Sequence, residues 1–185
     1  MKNNDFQVKG RVLPHADSPI IGAGDLTSKE RGSGARYNAN KVPVEFIPVR
    51  IWAGYMDPGF AVLPVQPDIP LLYALAEVQE GKKDPCELLE YVSTHDLEGA
   101  ARVFKAVTER EVNPYPAWNW AKGMKWSIPI ACIVRHALRQ YHGEAIDPET
   151  GLEHGFHIAC NVVMLVQFGM FYQEGDDRPN AEWFK

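Results

Sequence analysis

Residues Trp118 to Asn161 read WNWAKGMKWSIPIACIVRHALRQYHGEAIDPETGLEHGFHIACN, and this stretch decides the fold. It parses as helix, acidic turn, helix. Ser127 is an N-cap by type, and Pro129 falls in the first turn, where a missing N–H costs nothing. Gly143 stands where a C′ glycine ends a helix. Between them Ile130, Ile133, Val134, Ala137, Leu138 and Tyr141 recur at spacings of three and four, the apolar face of an α-helix. Arg135, Arg139 and His142 share another face. The turn Gly143 to Gly151 carries the carboxylates Glu144, Asp147 and Glu149. A second helix is predicted from near Leu152 to about Tyr172, with His154, His157 and Asn161 on one stripe. That stripe continues as Leu165, Phe168 and Tyr172, so its polar members are predicted to point inward, toward the first helix. Inward polar groups must be hydrogen-bonded or must hold something.

The chemistry is concentrated here, because four of the six histidines fall in this stretch: His136, His142, His154 and His157. Arginine suits phosphate through its planar fork, and carboxylates suit Mg²⁺ or Mn²⁺. Glu144, Asp147 and Glu149 read as metal ligands, or else Asp147 caps the turn and Glu144 is solvated. His154 and His157 read as holders of a metal, a phosphate or a water, or as satisfied core histidines. Asn161 either orients one of them or pins the helix pair. Arg135 and Arg139 read as phosphate ligands or as salt-bridge partners of the turn. His136 sits about 100° round the helix from Arg135, so the two need not share a pocket. Trp118, Trp120 and Trp126 surround Asn119, Lys122 and Gly123. They read either as a base-stacking surface or as core packing, and an Asn119 amide can meet a purine edge as donor and acceptor.

A chain of 185 residues with 45% hydrophobic content is long enough for one domain around a single core. The net charge of −5 gives no electrostatic footprint for nucleic acid. Cys86, Cys132 and Cys160 lack metal spacing and read as small buried residues in a reducing compartment. No apolar leader opens the chain and no run of 18 apolar residues occurs, so neither secretion nor a membrane span is expected, and the expected location is the cytoplasm.

Residues 1–40 read as an irregular arm. Its segment Ser33-Gly34-Ala35-Arg36-Tyr37, with Lys41, reads as a phosphate-contacting loop (Arg36 and Lys41 supplying charge) or as a surface arm. Residues 41–173 form the expected single helical domain, with the proline-rich 52–92 as an insertion suited to a lid or an oligomer contact. Within the domain, Val44–Ile47 reads as a short extended piece, Ile47–Tyr55 as a short helix and Asp68–Gln79 as another. Asp84-Pro85 and Thr94-His95-Asp96 each start a further helix, the latter carrying Leu97, Ala100, Ala101, Phe104 and Val107 at helical spacing. Residues 174–185 read as a polar tail whose Trp183 and Phe184 could dock on a neighbour. The expected fold is mostly α, with four to five helices, a C-terminal αα-hairpin carrying the site and long irregular arms.

Several blocks resemble a largely phage-encoded family, the dATP/dGTP diphosphohydrolase N-terminal domain. They are Asn119-Trp120-Ala121-Lys122-Gly123-Met124-Lys125-Trp126-Ser127, Arg135-His136, Gly143-Glu144 through Asp147 and Glu149 to Leu152, then His154, His157 and Asn161. Arg36 to Lys41, Phe46 to Pro48 and Ala100 to Phe104 look similar too. The resemblance covers about residues 34–50 and 95–172. It implies metal-dependent hydrolysis of purine (deoxy)nucleoside polyphosphates in phage nucleotide metabolism, in the host cytoplasm, near in kind to all-α nucleotide pyrophosphohydrolases. The implied cofactor is Mg²⁺ or Mn²⁺, the partner a small nucleotide, and the bundle class favours a homo-oligomer. Implied roles are metal for Glu144, Asp147 and Glu149, and catalysis for Glu144, His154 and His157. Substrate contacts fall to Arg135, His136, Arg139, Asn119, Trp120, Lys122, Trp126, Asn161, Arg36 and Lys41. The paired E-x-x-E and E-x-x-D of those pyrophosphohydrolases is absent here. The runner-up is therefore a non-catalytic module that sequesters a nucleotide or a nucleotide signal against host defence.

Overall fold

A computed structural model describes residues 25–34, 36, 41–57, 66–111 and 114–184. Among them are five α-helices: α1 (Val49–Met56), α2 (Ile69–Gln79), α3 (Thr94–Glu109), α4 (Ser127–Tyr141) and α5 (His154–Phe171). Short 3-10 turns cover Val44–Phe46, Pro85–Tyr91, Asn119–Lys122, Gln173–Gly175 and Ala181–Phe184. The protein is mostly helical, as the periodicity predicts.

α5 is the axis. It is buried on most of its surface and packs on α3 on one side and α4 on the other, with the Pro85–Tyr91 turn against a third. By length and a mean hydropathy of 1.3 it would pass as a membrane span, yet two thirds of it is buried by the rest of the molecule. The core it belongs to also holds Ile130, Ile133, Val134 and Ala137 of α4, Ala100 and Val103 of α3, and Leu72 and Leu75 of α2. Residues 52–92 therefore supply α2 and the Pro85–Tyr91 turn to the core.

The caps explain where the helices begin. Asp68 caps α2 by accepting the Leu71 N–H, with Pro70 in the first turn. Ser93 and Asp96 form a capping box for α3. Asp84 and Glu87 form another, but the segment it opens is a 3-10 turn rather than an α-helix. Val44–Phe46 is likewise a 3-10 turn and not extended. Ser127 is not the N-cap of α4 but its first residue, and Asp177 replaces it in the capping role. The Asp177 carboxylate accepts both the Ser127 N–H at 2.8 Å and its hydroxyl at 2.7 Å. Gly143 closes α4 with φ +85°, as a C′ glycine does.

The C-terminal tail folds back. The Trp126 N–H donates to the Gly175 carbonyl, and its indole N–H to that of Tyr172. Arg178 lies over the Trp126 ring at 4.7 Å and donates to the Val78 carbonyl. Trp183 remains exposed. Cys86 is exposed too, contrary to the buried reading, because it sits on the outer side of its turn, whereas Cys132 and Cys160 are buried.

At Gly99 the α3 backbone meets the Phe156 ring of α5 so closely that a Cβ has no room. Gly99→Ala gains helix propensity but forces the helix pair apart, so a net loss of about 1–3 kcal/mol is expected. Urea unfolding of the variant reads that loss as a lower midpoint.

Candidate functional site

The link between α4 and α5 is a small β-hairpin rather than a plain turn. Ile146–Asp147 (β1) pairs antiparallel with Leu152–Glu153 (β2). Asp147 builds its bend: one carboxylate oxygen, Oδ1, accepts the N–H groups of Glu149 and Thr150 and the Thr150 hydroxyl at 3.0–3.2 Å. The other oxygen has no partner among the described residues. The capping reading of Asp147 is thus correct for one oxygen and leaves the second for a ligand.

α4 brings His136 to this hairpin, and α5 brings His154 and His157. The His136 and His154 Nδ1 atoms are 2.8 Å apart, so one ring must donate and the other accept. His154 Nε2 reaches Glu144 Oε1 at 3.3 Å. The His136 ring stacks on that of His157 at 4.5 Å. His157 Nε2 meets the Thr150 hydroxyl at 2.8 Å and lies 3.7 Å from Asp147 Oδ1. His136, His154 and Asp147 each offer one ligand atom, and the three atoms lie within 4.8 Å of one another. His154 is 1% exposed, as the inward stripe predicts. One turn beyond His136, against Gly155, the buried Gln140 Oε1 has no hydrogen-bond partner. Glutamine side chains carry no spacing signal of their own, and sequence reasoning passed this one over.

Arg36 enters between the two helices. Its guanidinium donates to Asn161 Oδ1 at 3.1 Å and touches Cys132 Sγ and Met164 Sδ at 3.5 Å. Asn161 is fully buried and donates back to the His157 carbonyl of its own helix, which leaves its oxygen to seat the arginine. Arg135 donates to Cys132 Sγ at 3.0 Å and to the Val42 carbonyl, near Glu45. Lys41 is exposed, yet its charge reaches Cys132, His136 and His157. Ala35, Tyr37, Asn38 and Asn40 lie outside the described residues.

The electrostatics follow from dry, crowded cations. Burial, then the neighbouring His157 and His154, holds the His136 imidazole well below its usual range. Burial lowers His157 to about 4, with Asp147 opposing and His154 and Arg36 assisting. Burial alone would raise the Cys132 thiol, but Arg36 and Arg135 outweigh it and bring it down to about 7. Cys160 has too little of that compensation and is pushed up to about 12 by burial.

Beside Arg36 opens a cavity of about 390 Å³ walled by Phe104, Tyr115, Trp118 and Trp120, with Asn119 and Met164. Trp120 stacks on Phe104 at 4.9 Å. Trp118 and Trp120 thus line a slot suited to a flat ring. Trp126 does not share it: it is 1% exposed and covered by Arg178, because it anchors the returning tail. Lys122 points elsewhere, donating to the carbonyls of Asp25 and Ser28. Arg139 is exposed and paired with Glu144 at 3.2 Å. Glu149 lies on the outside of the hairpin, 3.8 Å from Arg110, and is not among the grouped ligand atoms.

A family model described as dATP/dGTP diphosphohydrolase, N-terminal, matches residues 75–178. That is more than half of the chain, and the protein belongs to this family. Neither curated proteins nor solved structures give a match. The matched segment holds the whole α4–hairpin–α5 unit and Asp177, while Arg36 and Lys41 lie upstream of it.

His157 is depressed in the folded state, so the unfolded chain binds the extra proton between about pH 4 and pH 6.5. Its contribution is fully present above pH 6.5 and is lost as the pH falls toward 4. EDTA-treated protein is expected to lose roughly 2 kcal/mol between pH 7 and pH 5, measured by urea titration, and His157→Gln should flatten that slope.

Proposed function

We propose that the protein hydrolyses purine deoxynucleoside triphosphates with the help of a divalent metal ion held by His136, His154 and Asp147. The observation that carries this reading is the convergence of those three ligand atoms beside an arginine, Arg36, that also borders an aromatic slot. The donor set fits an ion: Asp147 keeps an oxygen free, and the two ring nitrogens that now share one proton at 2.8 Å would both turn their lone pairs to a cation once that proton is lost. Two imidazoles and one carboxylate favour Mn²⁺ over Mg²⁺, since imidazole suits the transition metals. When bound, the ion supplies positive charge to phosphate oxygens and acidifies a water.

The chain's own residues do the rest. Trp118 and Trp120 stack the base, and Asn119 stands at the slot to meet its edge. Arg36, with Arg135 and Lys41, supplies the positive charge for the polyphosphate. Cys132 is their partner in the absence of substrate, and the thiol shares two guanidiniums that a phosphate would claim. Low basicity keeps His136 and His157 neutral at pH 7, which leaves their ring lone pairs open to a metal or to the proton of a water. Glu144 backs His154 from behind, as a carboxylate does for a ligating imidazole. Asn161 holds Arg36 at the boundary between slot and metal group.

The test is incubation with dATP and dGTP, with Mn²⁺, Mg²⁺ or EDTA, and mass spectrometry of the products. Release of dAMP or dGMP with Mn²⁺ and none with EDTA is expected. Asp147→Asn and His154→Ala should each lower kcat by about 100-fold. Trp120→Ala should chiefly raise KM, by roughly 10-fold, as loss of one stacking face predicts. Full recovery of uncut nucleotide under every metal condition would sink the hydrolase.

A further inference from the structure

Lys122 belongs to the family-like N-W-x-x-G block, yet it contributes nothing to the aromatic slot. The Asn119–Lys122 turn is a wall with two sides. Asn119 and Trp120 face the slot, whereas Ala121 and Lys122 face a second cavity of about 500 Å³. That cavity is bordered by Lys29, Arg31 and Lys122 together with Gln167, Phe171 and Tyr172.

Two of its cations are held in place. Lys122 donates to the carbonyls of Asp25 and Ser28. Arg31 donates to the Phe171 carbonyl and to Glu174, and lies over the Tyr172 ring at 5.5 Å. Each keeps donors unspent: one on the ammonium, three on the guanidinium. Lys29 is exposed and has no partner among the described residues. Among the described residues Glu174 is the one carboxylate in a salt bridge with any of the three, and Asp25 feels the charge of Lys122. In a chain of net charge −5, such a basic pocket is a local feature and not a general field.

We propose that this cavity is a second binding site, for a nucleoside phosphate. The cations take the phosphate, the exposed Phe171 ring takes the base, and the Gln167 amide offers both donor and acceptor to its edge. The site rests on the same strap that delivers Arg36. Gly32 donates to the Lys122 carbonyl and Gly34 to that of Gly123, and Arg36 follows within two residues. A ligand held by Lys29 and Arg31 therefore bears on the seating of Arg36 across the wall. The cavity stands apart from the His136–His154–Asp147 group, so the proposal does not require the hydrolase reading.

The experiment is equilibrium binding of a fluorescent mant-dATP to the whole protein in EDTA, where no turnover occurs. Lys29→Glu and Gln167→Glu place a negative charge at the cavity from two different elements, and far-ultraviolet circular dichroism of each variant checks that the helices are intact. Expected are two sites per chain in the wild type, one of them weakened at least about 10-fold by either substitution. Trp120→Ala should leave that site in place and weaken the other. Binding equal in wild type, Lys29→Glu and Gln167→Glu, including none in all three, overturns the proposal. Loss confined to Trp120→Ala overturns it as well and leaves the aromatic slot as the nucleotide site. A single site lost only in the two charge variants upholds it while removing support from the slot.

Discussion

A central helix must find partners for every polar atom it buries, and α5 buries three polar side chains in an otherwise apolar surface. His154, His157 and Asn161 all point into the interface with α4. Unpaired, each would cost on the order of 1–3 kcal/mol, enough together to threaten a domain of this size. The rest of the molecule is arranged to meet that demand. The hairpin bends so that Thr150 and Asp147 reach His157, α4 turns His136 toward His154, and the strap threads Arg36 to Asn161. The solution is nearly complete within the protein. What remains open is one carboxylate oxygen of Asp147 and the orphan amide oxygen of Gln140.

The same arrangement accounts for the unusual setting of Cys132. A sulfur between two guanidiniums is a poor use of arginine in a molecule that only needs to fold. Under the proposed function it is a resting contact that keeps both cations oriented until a phosphate displaces it. The arginines do not relax into solvent in the meantime, so less ordering is left to be done when a phosphate arrives.

Much of this was written plainly in the chain. The Asp68 and Pro70 start, the Gly143 stop and the inward stripe on α5 follow from spacing and residue type, because those signals are local. The site was half legible. The sequence pointed to the hairpin, yet the ligand atoms that converge there, from His136, His154 and Asp147, are not the expected carboxylate trio. Glu149 falls on the wrong side of a bend that its own N–H helps to form, and His136 joins from a helix face that spacing alone assigned away from Arg135. What decided the matter was the crossing of α4 and α5, which no local pattern encodes. The Trp cluster split for a similar reason. Trp120 sits before the chain turns and Trp126 after it, and a tail 50 residues further on closes over the second one.

That tail has a meaning for the boundaries of the unit. The N-terminus of α4 lacks a cap of its own, and its first amide is satisfied only when Asp177 returns from beyond the end of α5. Arg178 completes the closure on Trp126, and the family match ends at this residue. The smallest piece able to stand as a folded module therefore extends past its last long helix. Where such a module is joined to another polypeptide, the junction has to fall after the clasp and not at the end of α5, because the site-bearing helix is locked from behind by residues that look, on paper, like spare linker.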